Sequence, residues 1–232
     1  MQSRQTIQEA SRHLFTDVDI ACHACDLEAL AALDQSFFDQ LDEDEKARAA
    51  ALVCKQDQVR FIRAHGVLRI VLGEATNTPP ETLVFAYNPH GKPQLNMPRP
   101  PHFSLSASAD IAVIAISADH LVGVDVELIE PRSVEAMLPM VGHEADQQIL
   151  DLAAPEGLLA FYRFWTGKEA ILKAIGAGFQ ENPREINLGM DFLTGNKKAT
   201  SIKVFGQSFD LYCQQADTAM IALALIIDNP DA

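Results

Sequence analysis

The chain has 232 residues, 48% of them hydrophobic, which is enough for a sizeable core in one large domain or two small ones. Its longest apolar run, residues 219–227, is far shorter than the roughly 20 residues of a membrane helix, so we expect no membrane span. The 32 acidic and 18 basic side chains give a net charge of −14, which excludes a general attraction to nucleic acid or anionic lipid.

The N-terminal region predicts a polar arm followed by a strand. Residues 1–16 lack the apolar stretch of a signal peptide, and residues 18–26 alternate in polarity as a strand does. Cys22-His23-Ala24-Cys25 resembles half of a zinc site, but no second pair follows, so a buried strand is favoured. The chain has four cysteines, too few for a disulfide framework at this length, and we expect a cytoplasmic protein.

Helices dominate the next part of the chain. Helical spacing predicts helices over residues 27–41 and 56–73, and a further helix after Asp42, where an acidic first turn suits the positive end of a helix dipole. A strand over residues 83–87 and a turn-rich loop over 88–93 follow. We expect the proline-rich segment 97–101 to link two domains, residues 1–101 and 102–232.

The second domain repeats this plan. Strands are predicted over residues 103–108, 111–116, 122–128, 192–193, 201–204, 208–214 and 220–227, and helices over 134–152 and 156–175. Because strands and helices do not alternate strictly, we predict an α+β fold and not a doubly wound parallel sheet. A long helix before antiparallel strands in both domains suggests two similar α+β halves related by a pseudo-twofold.

Two carboxylates share one face of the strand predicted over residues 122–128. Because strand side chains alternate, Asp125 and Glu127 point away from the valines between which they lie. Neighbouring carboxylates repel unless a cation lies between them, and magnesium takes such oxygen ligands together with substrate phosphates. An edge strand with a solvated acidic face is the alternative, and the strand alone favours it.

The predicted helix over residues 156–175 changes this balance. Trp165, Glu169 and Lys173 are spaced i, i+4 and i+8 and therefore share one helix face. A surface Glu–Lys pair stabilises a helix by only about 0.3–0.5 kcal/mol, and that ordinary function leaves Trp165 on the same face unexplained. Glu169 is a candidate third metal ligand beside Asp125 and Glu127, and Lys173 is then placed to contact a phosphate.

These motifs together resemble the 4′-phosphopantetheinyl transferase superfamily, in particular its larger, monomeric, surfactin-synthetase-type branch. The resemblance rests on Gly-Val-Asp-Val-Glu at 123–127, on Trp-Thr-Gly-Lys-Glu-Ala at 165–170 with Lys173, and on Gly91-Lys92-Pro93 upstream. Residues 42–73, which include Arg48, also resemble the N-terminal helices of that family.

The resemblance implies an enzyme that moves the phosphopantetheine arm of coenzyme A onto a serine of an apo acyl or peptidyl carrier protein and releases 3′,5′-ADP. Its metal ligands would be Asp125, Glu127 and Glu169, holding Mg²⁺. Glu127 or Glu169 would take the serine proton, and Lys173 would stabilise the leaving group. The residues expected to hold the coenzyme are Arg48, Gly91, Lys92, Pro93, Ser106 and Lys173.

The chain departs from the family pattern at two positions. Ala107 stands where the family usually has a histidine that touches the coenzyme phosphates, although Ser106 beside it is kept. Glu45 occupies a position that is often basic. These departures keep open a non-catalytic paralogue that binds coenzyme A or a carrier protein. Fatty-acid, polyketide and nonribosomal-peptide carriers are all compatible with the sequence, and the acidic chain is expected to dock its carrier through an apolar patch with local arginines.

Overall fold

The computed structural model describes residues 2–131, 134–153, 155–177 and 180–228. Its helices are α1 (Gln2–Ala10), α2 (Asp34–Gln40), α3 (Glu43–Ala51), α4 (Lys55–Thr76), α5 (Val134–Val141), α6 (Glu156–Ile175) and α7 (Met190–Leu193). Its strands are β1 (Ser11–His13), β2 (Ala21–Asp26), β3 (Phe85–Tyr87), β4 (Pro93–Leu95), β5 (His102–Ser108), β6 (Ile111–Ser117), β7 (Val122–Leu128), β8 (Ala199–Val204), β9 (Gln207–Ala216) and β10 (Ala219–Ile226). None of the helices in these ranges combines the length and apolarity needed to cross a bilayer.

The strands form two four-stranded antiparallel sheets and a small hairpin of β3 and β4. The first sheet has the order β1-β2-β6-β5 and the second β7-β10-β9-β8. This mixture of helices and antiparallel sheets confirms the predicted α+β class. The first sheet takes strands from both sides of residue 101, because β2 pairs with β6 and β6 with β5. The division at residue 101 stays a prediction, and the topology groups β5 and β6 with the N-terminal strands.

Each sheet packs a long helix on one face and the other sheet on its second face. In β6, Ile114 belongs to the core cluster of α4, whereas its neighbour Val113 belongs to the cluster between the sheets. In β10, Ala222 belongs to the cluster of α6, and Ile221 lies between the sheets. This two-residue alternation is what a strand buried on both faces requires. The repeated unit of one sheet and one long helix is the similarity expected between the two halves.

Helix termini follow the signals in the sequence. Asp42 and Glu45 form a capping box at the start of α3, in which each side chain accepts a hydrogen bond from the other residue's backbone N–H. Helix α6 ends at Gly176, whose φ of +71° lies in the left-handed region that favours glycine. Both helices therefore have the ends that local chemistry favours.

Several predicted elements differ from the structure. The helix predicted over 27–41 is a 3-10 segment, Glu28–Leu33, followed by α2. The strand predicted over 192–193 is wrong, because Phe192 and Leu193 lie in helix α7 and are buried in the core of α6. The helix predicted over 134–152 ends at Val141, and His143 caps a separate 3-10 segment, Glu144–Asp151. Two adjacent apolar residues carry no periodicity, so burial alone could not distinguish a strand from a helix turn.

Candidate active site

Helix α6 lies directly on β7, and Gly123 allows this close approach. A Cβ atom at position 123 would collide with the backbone of Ala170 and Ala174. The adjacent positions of β7 are consequently held close beneath the helix, and Asp125 is only 4% exposed. The alternative of an edge strand with a solvated acidic face is therefore wrong for Asp125, although β7 is indeed an edge strand of its sheet.

Asp125, Lys173 and Ser106 form a compact hydrogen-bonded triangle. Lys173 Nζ lies 2.7 Å from Asp125 Oδ1 and 2.8 Å from Ser106 Oγ, and Ser106 Oγ donates to Asp125 Oδ1 at 2.9 Å. Burial raises the pKa of Asp125 above its ordinary value, although Lys173 and Ser106 oppose the shift. The structure therefore brings together three residues that the sequence predicted for this site.

Glu127 occupies the next position on the same face of β7. Its Oε1 accepts a hydrogen bond from Trp165 Nε1 at 3.1 Å, and Ser108 Oγ lies 3.4 Å from its Oε2. Trp165 and Lys173, two turns apart on α6, thus contact Glu127 and Asp125, two residues apart on β7. This register explains why a tryptophan shares the helix face with Glu169 and Lys173.

Serines of β5 join the edges of the two sheets at this site. Ser104 Oγ accepts a hydrogen bond from the backbone N–H of Val124 at 3.0 Å, and Ser108 Oγ accepts one from that of Leu128 at 3.1 Å. Ser106, between them, reaches Asp125. The alternation of serine along β5 therefore positions the candidate site between the two sheets.

Glu169 lies between the strand carboxylates and the cleft. Burial raises its pKa, and the charges of Asp125 and Glu127 raise it further, against the opposing charge of Lys173. The three carboxylates of the predicted metal site therefore influence one another electrostatically. This mutual repulsion is the condition that a bound cation relieves.

The donor set fits magnesium in its chemistry. All the predicted ligand atoms are carboxylate oxygens, which magnesium prefers, and Asp125 Oδ2 is buried without a hydrogen-bond partner. In the described part of the chain, however, no three His, Cys, Asp or Glu side chains converge closely enough to hold a metal ion. The metal assignment to Asp125, Glu127 and Glu169 therefore stays a prediction.

A cleft of about 320 Å³ opens beside this cluster. Of the residues predicted for the site, it is lined by Arg48, Gly91, Lys92, Pro93, Glu169 and Lys173. The cleft thus joins the N-terminal helices, the 88–93 loop and the end of α6, which are far apart in sequence. Asp125, Glu127 and Ser106 are not part of its lining and lie behind Lys173 and Glu169.

The 88–93 loop is fixed to the C-terminal end of α6. Asn88 Nδ2 donates to the carbonyl of Gly176 at 2.8 Å, and the Lys92 ammonium donates to the carbonyls of Ala174 at 2.8 Å and Val122 at 3.1 Å. Burial lowers the pKa of Lys92 to about 8. In this conformation Lys92 holds the loop on the helix, and a direct contact of its ammonium with the coenzyme stays a prediction.

The opposite wall of the cleft contains the predicted Arg48 and, beside it, residues that the sequence did not single out, among them His65 and Tyr87. Arg48 Nη1 donates to Tyr87 Oη at 3.2 Å, and its guanidinium lies over the Phe61 ring. His65 stacks on the same ring at 3.9 Å between centroids and places Nδ1 2.9 Å from Glu45 Oε1. Only a helical periodicity linking Phe61 and His65 was available from the sequence, and it does not reveal which side of α4 faces the cleft.

Lys168, the neighbour of Glu169 in the sequence, points away from the candidate site. Its Nζ donates to Asp146 Oδ2 at 2.8 Å and to the carbonyls of Val141 and Pro183. Its side chain is 4% exposed. Lys168 therefore fastens the segment after α5 to α6 and is separate from the candidate site.

Comparison with known proteins relates the second part of the chain to one enzyme superfamily. Residues 121–224 match the family model described as the 4′-phosphopantetheinyl transferase superfamily. A protein of Synechocystis sp., provisionally named a 4′-phosphopantetheinyl transferase, is 32% identical over 142 residues, which are 60% of this chain and 58% of that protein. The 4′-phosphopantetheinyl transferase HetI of Nostoc sp. is 32% identical over 143 residues, 60% of each chain.

A third relative shows a similar likeness over a slightly shorter segment. The 4′-phosphopantetheinyl transferase gsp of Aneurinibacillus migulanus is 32% identical over 134 residues, 53% of this chain and 55% of that protein. The chain therefore covers less than two thirds of the length of these relatives. The resemblance indicated by the sequence motifs is confirmed, and the matched segment contains β7 and α6 with their acidic residues.

Proposed function

Because residues 121–224 match the 4′-phosphopantetheinyl transferase superfamily, we propose that this protein transfers the phosphopantetheine arm of coenzyme A to a serine of an apo carrier protein. In this reaction the serine oxygen forms a bond to the phosphorus that carries pantetheine. The phosphoanhydride bond of the coenzyme breaks, and its electron pair leaves with 3′,5′-ADP. The serine proton passes to a carboxylate of the enzyme.

One observation supports this proposal most strongly. The triangle of Lys173, Asp125 and Ser106, with Glu169 beside it, lies at the side of a cleft large enough for part of a nucleotide. Phosphoryl transfer depends on positioning and on cationic groups near the charge that develops on oxygen. The site offers both an ammonium group and carboxylates within a few ångströms of one another.

The roles follow from these positions. Lys173 is 33% exposed, so its ammonium can contact a phosphate while Asp125 orients it. Glu127 or Glu169 takes the serine proton; Trp165 holds the former in place. The lysine charge acts mainly as the leaving oxygen becomes negative, so it serves turnover more than binding.

Magnesium suits the acidic group of this site. Asp125, Glu127 and Glu169 would hold the ion, which supplies positive charge to the phosphates and to the leaving group. The Oδ2 atom of Asp125, which is buried without a hydrogen-bond partner, would gain a partner in such an ion.

The coenzyme would enter the cleft from the side of the 88–93 loop. Gly91, Lys92 and Pro93 would contact it mainly through backbone atoms, because the Lys92 ammonium already donates to two carbonyls. Arg48 at the opposite wall is exposed and suited to a phosphate. The carrier, a fatty-acid, polyketide or peptide carrier protein, would bind a monomeric enzyme in the cytoplasm.

A non-catalytic paralogue is the second candidate. Ala107 favours it, because this position has lost a side chain that could contact a phosphate. Incubation of the protein with coenzyme A, magnesium and an apo carrier, followed by mass spectrometry of the carrier, tests the two functions. A mass gain equal to the phosphopantetheine arm supports the transferase, whereas binding of coenzyme A or carrier without any gain supports the paralogue.

A further inference from the structure

His65 is the histidine of α4 that lines both the cleft and the pocket next to it. This adjoining pocket, of about 340 Å³, is also lined by Phe61, Leu105 and Ala107. His65 is therefore placed across from β5, at the point where the two pockets meet. Its side chain is 15% exposed, so the ring is held in the protein and still reaches the open space.

The ring of His65 is fixed on two sides. It stacks on Phe61 at 3.9 Å between centroids, and its Nδ1 lies 2.9 Å from Glu45 Oε1. Glu45 is itself 1% exposed and accepts a hydrogen bond from Arg69 Nε at 2.6 Å. No hydrogen bond to His65 Nε2 is found among the described residues. One ring nitrogen is therefore anchored, and the other is available.

The anchor defines which nitrogen of His65 carries hydrogen. Although burial opposes the shift, His65 and Arg69 together lower the pKa of Glu45 below its ordinary value. Glu45 is thus an ionised carboxylate that only accepts hydrogen bonds, and Nδ1 must donate. In the neutral ring Nε2 is then an acceptor, which repels a phosphate oxygen. In the protonated ring Nε2 is a donor, which binds one.

Charged groups surround His65 on several elements. Glu45, which holds the ring, and Asp42 both form ion pairs with the buried Arg69. The other charged or titratable groups around the ring are Arg48 of α3, Asp57 and Arg60 of α4, His90 and Lys92 of the loop, and Glu169 and Lys173 of α6.

We propose that His65, held by Glu45, binds a phosphate of coenzyme A through Nε2 as an imidazolium, so that coenzyme binding takes up a proton. The inference rests on the proposed function, since it assigns one contact within the same cleft. Stacking on Phe61 does not require the Nε2 atom of His65, whereas a contact with phosphate does. It also supplies a donor beside Ala107, which has no polar side chain.

Calorimetric titration of coenzyme A into wild-type protein and His65→Gln at about pH 6 and pH 8 tests the inference. Imidazole side chains change charge between about pH 5 and 8, and a charge-assisted hydrogen bond corresponds to about a tenfold difference in affinity. At pH 6 we expect wild-type protein to bind about tenfold more tightly than His65→Gln, and at pH 8 we expect nearly equal affinities. Equal ratios at the two pH values would overturn the inference.

The matched control is His90→Gln, which alters another histidine of the same cleft whose ring makes no hydrogen bond to a carboxylate among the described residues. If His90→Gln lost the tighter coenzyme binding at pH 6 while His65→Gln kept it, the proton would belong to His90, and our assignment to His65 would be wrong. Comparison within each pH cancels the ionisation of the coenzyme's own phosphate monoester, which occurs near pH 6. Dephospho-coenzyme A then distinguishes a contact to the 3′-phosphate from one to the pyrophosphate.

Wild-type protein provides a second readout that does not depend on the variant folding. Calorimetry at pH 7 in two buffers with different ionisation heats measures the protons taken up on binding, and we expect net uptake with coenzyme A. Absence of uptake contradicts the inference. The carrier mass assay on the same preparation distinguishes failure of this inference from failure of the proposed function. Transfer of the arm without an effect of His65 on binding contradicts only this inference. Absence of both coenzyme binding and transfer contradicts the proposed function as well.

Discussion

Lys173 Nζ lies 2.7 Å from Asp125 Oδ1, but the two partners are buried to very different degrees: 33% of the lysine side chain is exposed and 6% of the aspartate. The ion pair is therefore asymmetric. If Asp125 is removed, water can still hydrate the Lys173 ammonium. If Lys173 is removed, the Asp125 carboxylate is left buried, with neither a cation nor water beside it. Function and stability consequently depend differently on the two residues.

We expect Lys173→Met to lower the free energy of unfolding by about 1–3 kcal/mol, because it leaves a buried carboxylate without its cation. Asp125→Asn should change it by less than about 1 kcal/mol, since the remaining ammonium is partly solvated. Urea unfolding of both variants and of the double variant measures this asymmetry. A double variant that is less stable than Lys173→Met, or a larger loss in Asp125→Asn, would contradict it.

Gly123→Ala should disrupt the site by displacing α6. The added Cβ would collide with the backbone of Ala170 and Ala174, which cannot move without shifting the helix. We expect destabilisation by about 3 kcal/mol, at the upper end for overpacking, and loss of the Trp165–Glu127 contact, which tryptophan fluorescence reports because Trp165 is the single tryptophan. Wild-type fluorescence and stability in this variant would show that the close approach is unnecessary.

The lowered pKa of Lys92 predicts that its contribution to the free energy of unfolding rises at alkaline pH. The folded protein releases the Lys92 proton near pH 8, whereas the unfolded chain keeps it to about pH 10.4. Between these values the unfolded state binds more protons, so stability increases with pH by at most about 1.4 kcal/mol per unit. The measurement is the difference in unfolding free energy between wild-type protein and Lys92→Met from pH 7 to 10, which should grow with pH in favour of wild type. A constant difference would mean that the pKa of Lys92 is not lowered.

Ala107→His tests whether the position of the missing histidine is a deficit. Ala107 is exposed and lines the same pocket as His65, so an imidazole has room to enter. If His65 already binds the phosphate, the substitution should change coenzyme affinity little in wild-type protein and should restore about tenfold in His65→Gln. Calorimetric titration at about pH 6 compares the four proteins. An equal gain in both backgrounds would show that the two histidines act independently.

The sequence was sufficient for the parts of the site that lie within one element. The two-residue period of β7 places Asp125 beside Glu127, and the helical period of α6 places Trp165 in line with Lys173. The structure agrees, and it pairs the four residues across the strand–helix contact. Such local patterns are readable because the repeat of the backbone alone determines which side chains share a face.

The remaining features depend on contacts between distant segments. Glu45 looked like a misplaced acid at a basic position, but it caps α3 and binds both His65 and Arg69. Lys92 looked like a phosphate ligand, but in this structure its ammonium is engaged by two carbonyls of the second half. Neither partner set could be inferred without knowing how α4 and the loop pack, because tertiary contacts decide which polar groups are satisfied within the protein.

The most direct test of the account is the mass of an apo carrier protein after incubation with coenzyme A, magnesium and this protein, alongside Glu169→Gln as a control. Glu169→Gln keeps the size of the side chain and removes its ionisable carboxyl group. Because burial and Asp125 raise the pKa of that group, its charged form is disfavoured in the folded protein, and the variant should fold as wild type. We predict that wild-type protein adds the phosphopantetheine arm to a serine-bearing carrier and that Glu169→Gln does so at least about a hundredfold more slowly. No mass gain with any apo carrier of the fatty-acid, polyketide or peptide class, or an unchanged rate in Glu169→Gln, would contradict the account.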